Sequence, residues 1–456
     1  MKGRFNHRGI QLLIFNYSLL ILSACSVNKQ IAKSAQADVL DAKALQTAHI
    51  GISIFDPAAN KYLYNYQGDK YFVPASNTKI PTCYAAMKYL GDSLVGLRYA
   101  GSFEKQMIIQ PTGDPTFLHP DFKTQKVYEF LRKVTGDIWY DGRAKDLKVW
   151  GSGWAWNDFN EYYMAERNSM PIYGNVVRIS GKLNDLKVEP KFFRYNISTS
   201  PVTNKNLYKE NERPYIDSLN AVSAVRRMQE NHFLVYGGVQ KNDIIQIPFY
   251  TGQLFNLLKD TLLCKQIVHS GFYLDAQPDS VVKIIHSQPT DSLLKPMMHR
   301  SDNFFAEQSL LMVSNERLGV MNDEKIIDTL LKTDFSDLPQ KPRWVDGSGL
   351  SRYNLFTPQD FVAILNKMKN EFGMERLKVI LPTGGEGTIS SYYKADSGYI
   401  YGKTGTLSGV VAFSGFLYTK KGKLLIFSTL VNNHQASATE VRRAVEKFLQ
   451  GVREKF

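Results

Sequence analysis

Val73-Pro74-Ala75-Ser76-Asn77-Thr78-Lys79 is the stretch on which the reading of this chain turns. It ends a run of strand and turn signals and opens an apolar helix through Ala85, Ala86, Met87 and Leu90. Pro81 removes a backbone donor, which predicts distortion in the first turns of that helix. Upstream, His49 to Phe55 alternates as a strand, Asp56 to Asn60 is turn chemistry, and Tyr62 to Tyr66 reads as the returning strand. Near the other end, Tyr399 to Thr406 reads as a strand, and Val410–Tyr418 and Leu424–Val431 as a hairpin across Lys420-Lys421-Gly422-Lys423. Ser437-Ala438-Thr439-Glu440 is a capping box, and Val441, Ala444, Val445, Phe448, Leu449 and Val452 follow it at helical spacing. Strands at both ends with helices between predict an α+β fold: one antiparallel sheet built from both ends of the chain, with a helix on each face. Residues 38–100 and 285–456 form this core. Residues 101–284, rich in short strand-like pieces, aromatics and turns, read as an inserted β-rich domain, or two.

The 456 residues are enough for two to three domains. With 43% hydrophobic and 22% charged residues the composition excludes wholesale disorder. The net charge of +13 comes from scattered basic residues without a long run or a nucleic-acid-binding signature, so no nucleic-acid partner is expected; an acidic polymer is the other reading of the charge. At the N-terminus Lys2, Arg4 and Arg8 precede a short apolar stretch that ends in Leu22-Ser23-Ala24-Cys25. This resembles a bacterial lipobox. It implies a signal peptide over 1–24, lipidation of Cys25, a polar tether over 25–37, and a periplasmic protein held on the membrane, with Ser26 pointing to the outer one, by its lipid alone. Three cysteines make no disulfide framework; Cys83, in an apolar helix, reads as a buried free thiol, although pairing with Cys264 stays open.

Ser-x-x-Lys starts at Ser26, Ser76, Ser102, Ser292 and Ser391, so context must choose. A serine nucleophile gains from a helix N-terminus, where backbone N–H groups and the helix dipole favour an oxyanion. Ser76 alone follows a strand and a Pro-Ala turn and directly opens an apolar helix, with Lys79 on the same face. Lys79 needs burial or a nearby positive charge to act as a base, because a free lysine has a pKa of ~10.4. Ser301-Asp302-Asn303 lies between helical segments, where a plain N-cap is the competing reading. Lys403-Thr404-Gly405 occurs once, on a predicted strand. The histidines show no metal-ligand spacing, and neither a metal nor an organic cofactor is expected.

In this order and on these elements, the three motifs match the signature of penicillin-recognising serine enzymes. Ser301 follows Ser76 by 225 residues, room for an inserted domain. Gly113 to Thr116, Gly151 to Asp158, Asp346 to Arg352 and Leu381 to Thr388 also resemble family segments. Over roughly residues 45 to 450 the chain resembles the penicillin-binding protein 4-like D-alanyl-D-alanine carboxypeptidase/endopeptidases. The resemblance implies a penicillin-binding transpeptidase/β-lactamase-like core. It implies that Ser76 attacks the D-Ala-D-Ala carbonyl, Lys79 is the general base, and Ser301 relays a proton to the leaving amine. Asn303 would hold the substrate amide, and Lys403, Thr404, Gly405 and Thr406 the strand-side substrate contacts, with Lys403 and Thr404 on its carboxylate. The N–H groups of Ser76 and Thr406 would form the oxyanion hole. Asp158 would meet the amino group of a diaminopimelate side chain; a turn aspartate beside two core tryptophans is the alternative. Two neighbouring lysines would leave one neutral near pH 7, while the other stays charged for the substrate. The implied partners are peptidoglycan stem peptides and β-lactams as covalent inhibitors. Two other functions compete: a serine β-lactamase, and a non-catalytic cell-wall-binding lipoprotein. No glutamate after Ser301 has the Glu-x-x-x-Asn setting of class A β-lactamases, and Ser301 stands where the class C type has tyrosine.

Overall fold

The computed structural model describes residues 28–141, 147–182, 185–200, 223–236, 244–263, 267–270 and 281–455. Residues 1–24, read as a signal peptide, lie outside them, as do Cys25 and Cys264.

The sheet foreseen from both ends of the chain is present. Its five strands run in the order Ile400–Leu407, Val410–Tyr418, Leu424–Asn432, His49–Asp56, Lys61–Tyr66. Every neighbouring pair is antiparallel. Alternation along the strands gives each face its own core, as a two-residue side-chain period requires. Ala412, Phe416, Ile426 and Leu430 point to one face, and Val411, Phe413, Leu425, Phe427 and Val431 to the other. The first face carries a stack of helices rather than the single one expected: Lys79–Tyr89, Thr290–His299, Asn303–Leu318, Asp323–Lys332 and Pro358–Ile380.

The second face is covered by the C-terminal helix Ala438–Lys455, through Val441, Val445, Phe448, Leu449 and Val452. Its capping box forms: the Glu440 carboxylate accepts from Ser437 N at 3.0 Å, and Ser437 Oγ from Glu440 N at 3.3 Å. Here the structure corrects the tether expected over 25–37. Residues 28–40 are helical, and Ile31, Ala35 and Val39 are buried beneath this same helix pair. Lys455 Nζ donates to Ser34 Oγ and Lys447 pairs with Asp38, so the polar residues that suggested a tether are the helix's outer face.

Among the described residues, the inserted segment and its flanking strands supply three small sheets around a further core that includes Leu97, Ile138, Val177, Phe233 and Leu257. The largest sheet takes Ser93–Gly101 from ahead of the expected boundary and pairs it with Lys283–Pro289. Those two adjacent antiparallel strands are where the chain leaves the core and returns. Cys83 is buried and free, and burial pushes its thiol far up. Pro81 does little harm. It is the third residue of its helix, within the first turn, where N–H groups lack intrahelical partners in any case.

Candidate active site

Ser76 sits in a single 3₁₀ turn, Ala75–Thr78, that runs directly into the helix Lys79–Tyr89. The turn is docked on the sheet by Asn77, whose Nδ2 donates to Ser414 Oγ at 2.7 Å; Ser414 in turn bonds Ser428 at 2.8 Å. These serines, with Ser53 and Lys403, lie opposite one another across four strands. Small residues at this level let the turn lie against the sheet. Two glycines press on it from separate segments. A Cβ on Gly405 would come within 2.6 Å of Pro74 O and 3.0 Å of Ser76 N. A Cβ on Gly349, whose φ is +82°, would fall 1.8 Å from Ala75 O. Ala75 takes φ +47° and Ser301 φ +62°, left-handed conformations that cost of order 1–3 kcal/mol and cluster where function demands them.

The three motifs meet around two buried ammonium groups. Lys79 Nζ donates to Ser76 Oγ at 3.0 Å, to Asn303 Oδ1 at 2.7 Å and to the carbonyl of Ser348 at 2.8 Å. Lys403 Nζ donates to Ser301 Oγ at 2.8 Å and to Thr404 O at 2.6 Å. Asn303 Nδ2 donates to Tyr163 O at 3.1 Å and keeps a second N–H for a ligand. Thr404 Oγ1 bonds Thr388 Oγ1 at 2.7 Å, and Arg442 donates to Thr406 Oγ1 at 2.6 Å. Ser76, Asp158, Tyr163, Asn303, Arg352 and Thr406 line a cleft cavity of about 590 Å³. Asp158 therefore shares a cavity with Ser76, and the picture of an aspartate between two core tryptophans is corrected: Trp154 is half-buried and Trp156 is 74% exposed.

Burial drives both lysines down. Lys79 falls to about 8, with the Asp346, Glu307 and Asp302 carboxylates opposing the effect. Lys403 falls well below the usual lysine range, through burial first, then the positive charges of Lys79 and Arg442. Lys79 has three carboxylates to favour its charge; among the described residues none is credited with doing so for Lys403. Burial of both amines, and the positive charge of Lys79 beside Lys403, favour one proton fewer on the pair.

Several contributors escaped the sequence reading. The segment Asp346 to Arg352 is both a wall of the cleft, through Gly349, Leu350 and Arg352, and a structural turn. It wraps around Asp346, whose carboxylate accepts from the N–H groups of Gly349 (2.8 Å) and Ser351 (2.7 Å) and from the side chains of Asn354 (2.7 Å) and Trp154 (3.1 Å). Glu307 accepts from Ser348 N at 2.7 Å and so holds the carbonyl that grips Lys79. Burial, then the Asp346 charge, pushes Glu307 up to about 7. Arg167, from the inserted segment and 1% exposed, completes the set: it pairs with Glu307 at 3.3 Å and Asp323 at 2.5 Å and donates to the carbonyls of Lys148 and Trp150. Glu307 lies one helical turn after Asn303, the one hint of it in the sequence. Arg167 had none.

The fold and this double serine–lysine site define a penicillin-recognising serine peptidase, and the family can be stated. The model of the D-Ala-D-Ala carboxypeptidase 3 (S13) family matches residues 31–452, and the chain belongs to that family. It is 23% identical to the D-alanyl-D-alanine carboxypeptidase DacB of Haemophilus influenzae over 91% of this chain and 92% of the relative. It is 25% identical to an Actinomadura D-alanyl-D-alanine carboxypeptidase over 88% of this chain and 80% of that one. The crystal structure of penicillin-binding protein 4 from H. influenzae has the same fold, with a TM-score of 0.69 at 20% identity, covering 92% of this chain and 98% of that one.

Removing Arg167 leaves Glu307 and Asp323 buried without their cation. Arg167→Met should lower stability by about 3–5 kcal/mol in urea unfolding. A loss below about 1 kcal/mol would show that the network carries no such weight.

Proposed function

We propose that the protein is a serine D-alanyl-D-alanine peptidase that acts on peptidoglycan stem peptides through an acyl-enzyme on Ser76. The observation that carries this is the 3.0 Å bond from Lys79 Nζ to Ser76 Oγ, next to the 2.8 Å bond from Lys403 Nζ to Ser301 Oγ. Ser76 Oγ attacks the carbonyl of the penultimate D-alanine while neutral Lys79 takes its proton. The negative charge that develops on the carbonyl oxygen faces the Ser76 and Thr406 N–H groups. The substrate's carboxylate settles on Lys403 and Thr404 and supplies the negative charge that Lys403 lacks. Its pKa then rises, and a charged Lys403 disfavours the proton on Lys79. Binding a carboxylate thus arms the base. The C–N bond breaks as Ser301, held by Lys403, gives its proton to the leaving amine and takes in its place the one Lys79 removed from Ser76; water then hydrolyses the ester and frees Ser76. The free N–H of Asn303 takes the substrate amide, and Asp158 with Tyr163 takes the basic side chain of the stem. The same acyl-enzyme serves a terminal D-alanine and a D-alanyl cross-link, which differ in leaving group.

A β-lactam enters the same chemistry. Penicillin-binding protein 4 of H. influenzae has been crystallised in complex with one. We expect a slowly hydrolysed adduct here rather than lactamase turnover. Glu307, the acid one turn from Asn303, is committed to Ser348 N and Arg167 and is not placed to activate water at Ser76. The protein also fits a lipid-anchored periplasmic protein, on the strength of Leu22-Ser23-Ala24-Cys25.

Ser76→Ala should abolish both the penicillin adduct, read by intact mass, and D-alanine release, by about 10⁴-fold or more. An adduct that persists in the variant rules out Ser76 as nucleophile. Acylation needs neutral Lys79, so its second-order rate constant, which reports the free enzyme, should rise with pH through about 8. In Glu307→Gln a charge that favours the ammonium is gone, and the midpoint should move to lower pH; an upward move contradicts the assignment. Cys25→Ser should transfer the protein from the membrane fraction to the soluble periplasmic fraction. Wild type found in the soluble fraction removes the anchor.

A further inference from the structure

Beside the cleft lies a second cavity of about 420 Å³. The inserted segment gives it Tyr162 and Arg178; the core gives it Arg300 and Ser301. Tyr163 and Asn303 line both cavities and form the partition between them. Ser76 opens on one side of that partition. Ser301, the residue bonded to Lys403, opens on the other.

The charged groups on this second wall are not alike. Arg300 is bound to Asp121 at 2.5 Å and lies 3.6 Å from Asp302. His119 is buried, which holds its imidazole down at about 4, and its Nδ1 accepts from Asp121 N at 3.2 Å. Arg178 donates from Nη1 to Tyr173 O at 2.9 Å, and among the described residues no carboxylate lies within ion-pair distance of it. It is half-buried. Glu189, opposite it on the neighbouring strand, and Asp121 and Asp302 favour its charge only from beyond ion-pair distance, so its fork is left open to a carboxylate, the partner it fits. Gly174, at φ +70°, keeps the space open: a Cβ there would come within 2.9 Å of His119 and 3.6 Å of Arg178 Nη2.

We propose that this cavity holds the leaving half of a cross-linked substrate, a second acidic stem peptide, with one of its carboxylates on Arg178. This rests on the peptidase reading above. With the scissile carbonyl at Ser76 and the departing amine at Ser301, chain beyond that amine continues past Asn303 into the cavity that Ser301 lines. A departing D-alanine is a single residue and ends at Lys403. A departing stem peptide is longer and carries further carboxylates. Arg178 therefore separates the two leaving groups, favouring cross-link cleavage without joining the chemistry.

The test is kcat/KM on a purified cross-linked muropeptide dimer and on a linear pentapeptide, for wild type, Arg178→Gln and Arg178→Lys. The Gln variant should lower the dimer-to-pentapeptide ratio about tenfold, through KM on the dimer, and Lys should restore most of it. In wild type, added salt should raise KM for the dimer more steeply than for the pentapeptide, a readout that does not depend on how the variants fold. A ratio unmoved in Arg178→Gln, equal salt slopes, or a wild type that cuts the pentapeptide and not the dimer overturns the proposal. Failure of the peptidase reading itself looks different: neither peptide is cut and Ser76 takes no penicillin.

Discussion

One buried ammonium holds this site together. Lys79 joins three segments far apart in sequence: the turn with Ser76, the helix start with Asn303 and the loop with Ser348. Taking such a charge out of water costs several kcal/mol. Three good acceptors and three nearby carboxylates, Asp346, Glu307 and Asp302, offset that cost without annulling it. What remains is a lysine with a lowered proton affinity, which is the property a base needs. The same contacts that assemble the site also tune it.

Behind Lys79 the charges alternate outward. Glu307 and Asp346 face it, and Arg167 faces Glu307 and Asp323. Arg167 and Trp154 come from the inserted segment and reach groups of the core. The insertion is thus fastened to the core by polar contacts directly behind Lys79 and by Phe122, Ala165 and Val176, which join the main core, while most of its apolar residues form a core of their own. Through Gly153, Ala155, Asp158 and Tyr163 it also forms a wall of the cleft, which therefore lies between two parts of the chain fastened to one another.

Most of the frame could be read beforehand because it is periodic. Strand alternation, the capping box at Ser437 and the helical spacing after Val441 are local signals, and the three motifs carry spacing and order. The misreadings share a cause, which is that composition does not say what a segment packs against. Residues 28–37 are polar enough to pass for a tether, yet Ile31 and Ala35 are apolar four apart, and a waiting helix face buries them. Arg167, Asp346 and Ser348 acquire their roles from partners more than a hundred residues away, which no window of sequence contains. The depression of the two lysines' proton affinities likewise depends on burial and on the charges that face each amine.

Gly405 and Gly349 clasp the Ala75–Ser76 turn from opposite segments, and the space left for a side chain is nil at Gly349 and nearly so at Gly405. This closes one path for antibiotic escape. A drug that acylates Ser76 is normally evaded by narrowing the approach to it. At these two positions any added carbon displaces the nucleophile's own backbone before it obstructs the drug. Room for variation that leaves the turn in place lies farther out in the cleft, at side chains such as Arg352 or Leu407.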